Sequence, residues 1–494
     1  MFSDLLRLSK QTLTYGAATV LTRMVAFILV PFFTYYMTTE EFGVQQLFYM
    51  FIALGTELFL LGLDIALLRY YVLEKDLARR KVIFSTVWYT GFFFATTLAL
   101  AVVFAAPQLV RLVVELPTPT PDWAIYTLRL CAGILWLEIL NAFPFMVLRG
   151  EGKAGQFILG RISGAVAQTI FTLITLIPLH RGVAGVFEAN LASSLVVAAI
   201  LAPAVFSRLR MVYDRAMLAA CLKFGLPNVP NAVFVIAIDL SSRKILEIMS
   251  GSSVTGLFSV GQRLGTFMAI AVAGFRFAWQ PFFLSISDRP NAKDIYGRVL
   301  TYYLVVVIWM YLLLTAFVEP LAKGNIPGIG SLIAPEFWDG LGVFPIILLA
   351  HIFNGAYAVF MVGIYLKKKT AALPLFTGVA AVISVAGNIL LIPKYGMWAA
   401  AWLTVASYAI MSVLLYFYIQ RYYPIRYEWG RIVRLFLYGG IAYGLGALGV
   451  RYSSHLPAYI ISIFFPLSLL AGGFLSGGEK ERVRRLFRRG RGQE

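Results

Sequence analysis

Charge is scarce in this chain. Asp, Glu, Lys and Arg together make up 13% of 494 residues, against about a quarter in an ordinary soluble domain. Histidine is rarer still, at positions 180, 351 and 455, and the two cysteines, Cys131 and Cys221, sit in or beside apolar runs. There is no CxxC or HxxxH spacing, so neither a disulfide framework nor a metal-centred chemistry is expected. No GxxxxGK[ST] run is present; the nearest, Gly150-Glu151-Gly152-Lys153-Ala154, lacks the pattern, which excludes a P-loop ATPase. What the chain has instead is hydrophobic mass: 60% apolar residues and a mean hydropathy of +0.79. A soluble enzyme of this length could not be solvated by so little polar surface. The composition is that of an all-α polytopic membrane protein.

About 20 apolar residues cross the hydrocarbon core as a helix. On that rule about fourteen spans are expected, at 11–33, 44–68, 82–106, 123–148, 155–178, 183–206, 219–246, 255–284, 298–319, 340–366, 371–392, 397–419, 432–450 and 456–475. The first run is too long for a signal peptide and carries Arg23, so it reads as a retained transmembrane helix.

The net charge of +18 reads first as topology rather than as a nucleic-acid footprint. With the N-terminus inside, the even loops and their span edges hold 21 Lys and Arg, including Arg69, Arg79, Arg80, Arg208, Arg210 and Lys367. The odd loops hold five: Arg111, Arg181, Lys323, Lys394 and Arg451. Such a bias places the even loops and both termini in the cytoplasm. The tail from Glu479 spaces Val483, Leu486 and Phe487 helically among arginines, as a helix lying on anionic lipid does.

The chain also repeats itself. Gly62 and Gly274 stand 212 residues apart, as do Asp76 and Asp288, and Asn141 and Asn354 stand 213 apart. The LIPLHRG run ending at Gly182 matches the LIPKYG run ending at Gly396. Each half holds six spans, an even number, so both halves start on one side. This predicts two parallel six-helix lobes, 1–210 and 211–425, related by a pseudo-two-fold axis along the membrane normal, with residues 426–494 adding two helices and the basic tail. Parallel repeats are a transporter architecture, with the ligand held between repeats near the midplane.

Several motifs then occur in a telling order. Lys10, Gly16 and Arg23 lead to Pro31; Thr39-Glu40-Glu41-Phe42-Gly43-Val44 is echoed by Ser252-Ser253-Val254-Thr255-Gly256-Leu257-Phe258. Ala334-Pro335-Glu336-Phe337-Trp338 precedes the tenth span, and Asn388 through Pro393-Lys394-Tyr395-Gly396 precedes the twelfth. Over roughly residues 5–420 the chain resembles flippases of the MOP superfamily, in the polysaccharide-export branch of Wzx-type oligosaccharide flippases related to MurJ and the MATE exporters. The resemblance implies alternating access, an undecaprenyl-diphosphate-linked oligosaccharide as substrate, a bacterial inner-membrane location and a role in cell-surface polysaccharide such as O-antigen or exopolysaccharide. It implies membrane lipids and a polysaccharide polymerase machinery as partners, and no nucleic acid. It also implies functional arginines on the first and eighth helices, which Arg23 and Arg263 match.

Ionisable residues inside spans are costly and usually face a cavity or a partner. Arg23, Arg263 and Arg276 are the candidates for a cationic cavity that grips the diphosphate, because guanidinium stays charged and binds phosphate oxygens two at a time. Glu57, Asp64 and Asp239 are the candidate counter-charges or coupling-ion residues, for Na+ or H+; no other cofactor is expected. The competing reading pairs Arg23 with Glu57, Arg263 with Asp239 and Asp64 with Arg69 as inert structural bridges. Asp239, Arg243 and Glu247 follow i, i+4, i+8 spacing, which predicts a self-neutralising stripe. Arg129, Glu138, Arg161 and Glu188 read as structural. Asp64 and Arg276 share the 212-residue offset and carry opposite charges, so they are expected to face each other as an ion-pair gate at the cytoplasmic entrance. Outer loops are too short for a catalytic domain, so the chain reads as a non-enzyme. A lipid II flippase and a MATE-type cation-coupled drug exporter remain the alternatives, the latter opposed by arginines that would repel a cation.

Overall fold

The computed structural model describes residues 28–474 except 116–118, 327–329, 368, 370–371, 453 and 472–473. Arg23 and the tail from Glu479 lie outside the described residues. A helix at 28–36 (α1) is followed by α2 (Thr39–Leu60), α3 (Leu63–Leu73), α4 (Leu77–Val113), α5 (Asp122–Gly150), α6 (Ala154–Leu176) and α7 (Gly182–Phe206). Next come α8 (Arg215–Gly225), α9 (Val229–Ser285), α10 (Ala292–Lys323), α11 (Phe344–Leu366), α12 (Leu373–Tyr422), α13 (Trp429–Tyr452) and α14 (Leu456–Ala471). The strands described are a two-residue antiparallel pair, Asn325–Ile326 with Gly330–Ser331. Nine of the described helices are long and apolar enough to cross a membrane.

Glycine decides where the long runs divide. α9 breaks at Gly251 (φ 87°) and α12 at Gly396 (φ 55°), a left-handed backbone that other residues rarely adopt. Each is therefore two consecutive spans, as the hydropathy predicts. The second expected span differs: it is split into α2 and α3 by Leu61 and Gly62, both at positive φ. The seventh differs as well. Its first part is the separate helix α8, ended by a 3-10 turn at Leu226–Asn228 beside Pro227 and Pro230, which cannot donate to the helical ladder. The two departures share one cause. A side chain on Gly62 would lie 2.4 Å from the Gly225 carbonyl oxygen, and one on Gly225 would lie 2.6 Å from that of Gly62. α8 docks backbone to backbone on the break in the second span.

Landmarks of the repeat take matching conformations. Gly182 and Gly396, ending the two LIP motifs, are both left-handed, at φ 53° and 55°. Gly43 and Gly256 mark a reciprocal crossing. A Cβ on Gly43 would stand 2.0 Å from the Ser252 carbonyl oxygen, and one on Gly256 would stand 1.9 Å from that of Thr39. The same two patches thus meet each other head to head, as at a two-fold axis. Small residues let helix backbones approach where hydrocarbon solvent supplies no hydrophobic drive. The Thr39 and Ser253 hydroxyls, 2.7 Å apart, close this contact.

Around it, Phe42 packs edge-on against Phe337, the Tyr35 hydroxyl donates to the Ser331 carbonyl at 2.5 Å, and the Ala334 N–H reaches the Thr34 hydroxyl at 3.3 Å. The first and second halves are therefore locked together at the end poor in Lys and Arg. At the basic end a second cluster ties loops within the first half. Arg208 donates to both Glu151 oxygens, at 2.8 and 2.5 Å, and the Tyr71 hydroxyl donates to Glu151 at 2.6 Å. Elsewhere the outer surface is apolar, with Phe93, Phe104, Leu390 and Phe417 exposed, as a hydrocarbon-facing surface requires.

Candidate functional site

A cavity of about 600 Å³ lies inside the first half, walled by α1, α2, α3, α5, α6 and α7, with one contribution from α9. Small residues make the space. Gly160 and Gly164 stand one helical turn apart on α6, and Gln168 continues the same face. A Cβ on Gly160 would be 3.0 Å from the Phe145 ring, and one on Gly164 would be 2.6 Å from Val197. Bare backbone at Gly160 lets the Phe145 ring lie close against α6. Phe145 in turn packs edge-on against Phe157, with ring centroids 5.2 Å apart.

Arg161 uses that ring as a shelf. Its guanidinium carbon lies 4.2 Å from the Phe145 centroid and 5.6 Å from that of Phe157, in cation–π geometry. Counted from the start of α6, Arg161 is about 10 Å into the helix, yet its side chain is exposed to the cavity. It makes no hydrogen bond or ion pair to another described residue. Glu138, across the cavity on α5, lies within electrostatic range of it and accepts a hydrogen bond from the Thr56 hydroxyl at 3.1 Å.

Arg263 is the residue that α9 sends in from the second half. Its guanidinium carbon lies 5.1 Å from the Phe33 ring and 5.9 Å from Phe42, and its Nη1 is buried without a hydrogen-bond partner among the described residues. Because the helix starts at Gly251, Arg263 sits about 18 Å along it, deeper than a start near residue 255 would place it. Besides its carboxylates and apolar side chains, the cavity wall carries hydroxyl and amide groups. Ser193 donates to the Gln168 side chain at 2.9 Å, and the Asn141 amide donates to the Ser194 carbonyl at 3.2 Å.

Of the residues singled out from sequence, Arg263 and Asp64 line this cavity. Asp64 is in the first turn of α3, just after the Leu61–Gly62 break, where the helix N-terminus favours its charge. Glu57 is half-buried on α2 and is not part of the cavity wall. Arg276 lies outside it and donates to the Asn354 carbonyl oxygen at 2.8 Å and to the Asn354 side-chain oxygen. No ion pair joins Asp64 to Arg276 among the described residues. The repeat is still visible here, since Asp64 shares its cavity with Asn141 and the equivalent Arg276 bonds to the equivalent Asn354.

Arg23, and with it the bridge to Glu57, lies outside the described residues; the other two bridges do not form. Arg263 stands on aromatic rings, not on Asp239, whose carboxylate accepts from the Tyr408 hydroxyl. Arg69 stacks on Phe224 at 4.2 Å instead of meeting Asp64. The stripe Asp239, Arg243, Glu247 does not neutralise itself. Arg243 donates to Gln262 at 3.0 Å, while Glu247 pairs with Lys244 at 2.5 Å and accepts the Glu115 N–H at 2.6 Å. Asp239 and Arg243 find partners outside the stripe, in Tyr408 and in Gln262 beyond the Gly251 break, while Glu247 pairs with its own-helix neighbour Lys244. Glu188 is structural as expected, bridged to Arg181 at 2.6 Å. Glu138 and Arg161, structural by their position in the sequence, both stand on the cavity wall. Their signal was present: Glu138, Asn141 and Phe145 recur at helical spacing on α5, and Arg161 lies in a glycine-rich stretch of α6.

Residues 32–323 match the model of a family described as polysaccharide biosynthesis protein. No curated protein matches the chain. Among solved structures, the lipid II flippase MurJ in an inward closed conformation is similar over 92% of this chain and 99% of its own, with 15% identity and a TM-score of 0.74. An inward-facing multidrug resistance MATE family transporter of the MOP superfamily matches over 84% of this chain and 93% of its own, at 15% identity and TM-score 0.61. A MOP superfamily transporter from Pyrococcus furiosus, described as having a binding pocket of reverse polarity, matches over 84% and 94%, at 16% identity and TM-score 0.60. At these identities the likeness is one of fold.

Proposed function

The chain belongs to the polysaccharide biosynthesis protein family, and on that premise we propose that it is a flippase carrying an undecaprenyl-diphosphate-linked oligosaccharide across the bacterial inner membrane. The basic loops face the cytoplasm, the two six-helix lobes rock about the pseudo-two-fold axis, and a Na+ or H+ gradient drives the cycle, with Glu57, Asp64 and Asp239 as candidate coupling groups. The product feeds a polysaccharide polymerase at the outer face.

Arg263 carries this reading. A permanent cation at membrane depth is expensive unless something satisfies it. Its Nη1 has no hydrogen-bond partner among the described residues, while the guanidinium reaches a cavity whose wall mixes apolar side chains with the hydroxyl and amide groups of Thr56, Asn141, Gln168 and Ser193, the Asp64 and Glu138 carboxylates and Arg161. A diphosphate supplies the missing acceptors and a glycan uses the rest. A cationic drug would meet Arg161 and Arg263, which speaks against export of that class. With the Gly43–Gly256 crossing closed, this cavity is the cytoplasm-facing one in the cycle.

Deletion of the gene tests the proposal. Lipid-linked oligosaccharide should accumulate in the inner leaflet and surface polysaccharide should be lost. Continued arrival of that lipid at the outer face, in a strain with no other flippase, refutes the assignment. Accumulation of lipid II instead reassigns the cargo.

A further inference from the structure

Two guanidiniums enter one cavity from opposite halves, and a diphosphate next to a lipid tail needs only one of those positions. Arg263 belongs to the wall shared between the halves. Arg161 lies wholly within the first half, on the far helix α6, with hydroxyl and amide groups of Asn141, Gln168 and Ser193 lining the space around it. Polar side chains of this kind bind sugar hydroxyls, so the space beside Arg161 suits the glycan.

The packing of Arg161 matters as much as its charge. The Phe145 ring covers one face of the guanidinium at 4.2 Å. A covered face leaves the in-plane N–H fork as the binding edge, and that edge matches a carboxylate or phosphate in bidentate fashion. Glu138 is near enough to interact electrostatically but makes no hydrogen bond to Arg161. The fork is therefore preorganised, open to the cavity and unclaimed by the described residues.

We propose that Arg161 is a specificity-determining residue that binds an oxyanion on the glycan, so that the cargo has an acidic head group. The oxyanion is the carboxylate of a uronic-acid sugar. This rests on the flippase reading, but its outcome is read independently of transport.

The experiment uses the purified full chain and measures binding by competition and native mass spectrometry. The probes are a glucuronate-containing trisaccharide, its carboxyl-reduced neutral form, and undecaprenyl diphosphate without sugar. The wild type should prefer the acidic trisaccharide by about tenfold or more, the usual size of a charge-assisted pair. Arg161→Gln should erase that preference, and Arg161→Lys should keep only part of it, because ammonium cannot use the fork. Arg161→Gln should bind undecaprenyl diphosphate as the wild type does, whereas Arg263→Gln should not. Should Arg161→Gln fail to give a monodisperse protein, Phe145→Leu removes the shelf and should reduce the preference in the same direction. Equal binding of acidic and neutral trisaccharides by the wild type overturns the proposal. So does loss of undecaprenyl diphosphate binding in Arg161→Gln, which would make Arg161 part of the diphosphate site. A wild type that prefers the acidic glycan yet binds no undecaprenyl diphosphate would defeat the flippase reading while leaving Arg161 in place.

Discussion

Substitution of Gly43 by Ala should open the Lys/Arg-poor end. The new Cβ would lie 2.0 Å from the Ser252 carbonyl oxygen, where real contacts essentially never fall below 3.0 Å. The obstacle is backbone, so it cannot turn aside as a side chain would. α2 and the second part of α9 must separate by about 1 Å, and overpacking of this kind costs about 1–3 kcal/mol. Gly43 makes this contact across the two halves, so the cost falls on the closed arrangement and not on either half alone. At 1.4 kcal/mol per tenfold, the closed population relative to the open one falls by about 5- to 150-fold. The assay is a disulfide between Thr39→Cys and Ser253→Cys, whose native hydroxyls are 2.7 Å apart. Cross-linking should be fast in the Gly43 background and several-fold slower in Gly43→Ala, with Gly256→Ala doing the same because the contact is reciprocal. A thermal melt unchanged within a few degrees identifies the effect as opening and not unfolding. Equal cross-linking rates in all three backgrounds would show that the crossing is not a gate.

Three further outcomes are expected. Arg23→Ala and Arg263→Ala should each abolish export at normal protein level, with Lys poorly tolerated if bidentate phosphate contact is what matters; wild-type export in both Ala variants removes the cationic cavity from the mechanism. Asp64→Cys with Arg276→Cys should cross-link only when the Lys/Arg-poor end is open, since the pair is unjoined in the closed arrangement; failure in every state removes the ion-pair gate. At the basic end, burial pushes the Glu151 carboxyl upward, but hydrogen bonds from Arg208, Lys153 and Tyr71 overcome it and hold the group at about 2. A folded value below the unfolded one gives stability that is present above the unfolded value and lost as pH falls through the folded value, here between about pH 4.5 and 2. Glu151→Gln should therefore lower the melting temperature at neutral pH, a loss of about 1 kcal/mol of stability once solvent screening of the partly exposed group is allowed for, and the gap to wild type should narrow towards pH 2; a gap independent of pH refutes the clamp.

Hydropathy by itself determined the class, the order of the spans and most of their ends, because about 20 apolar residues are needed wherever a helix crosses lipid. The repeat was also legible, since matched turn motifs need matched glycines: Gly182 and Gly396 are both left-handed. The presence of a charge within a span was legible too, and Arg263 stands on the cavity wall. Tertiary structure decided what each charge faces. Spacing on one helix predicts that Asp239, Arg243 and Glu247 satisfy one another, but Tyr408 of α12 and Gln262 beyond the Gly251 break take the first two, and Glu247 pairs with Lys244, a nearer neighbour on its own helix. It also decided that Glu138 and Arg161 open onto the cavity, because that depends on Phe145 lying against a bare Gly160 fifteen residues further along the chain, on the next helix. The break at Leu61–Gly62 has the same origin. An apolar run of that length reads as one continuous span, and only the close approach of Gly225 shows why the helix must stop and start again.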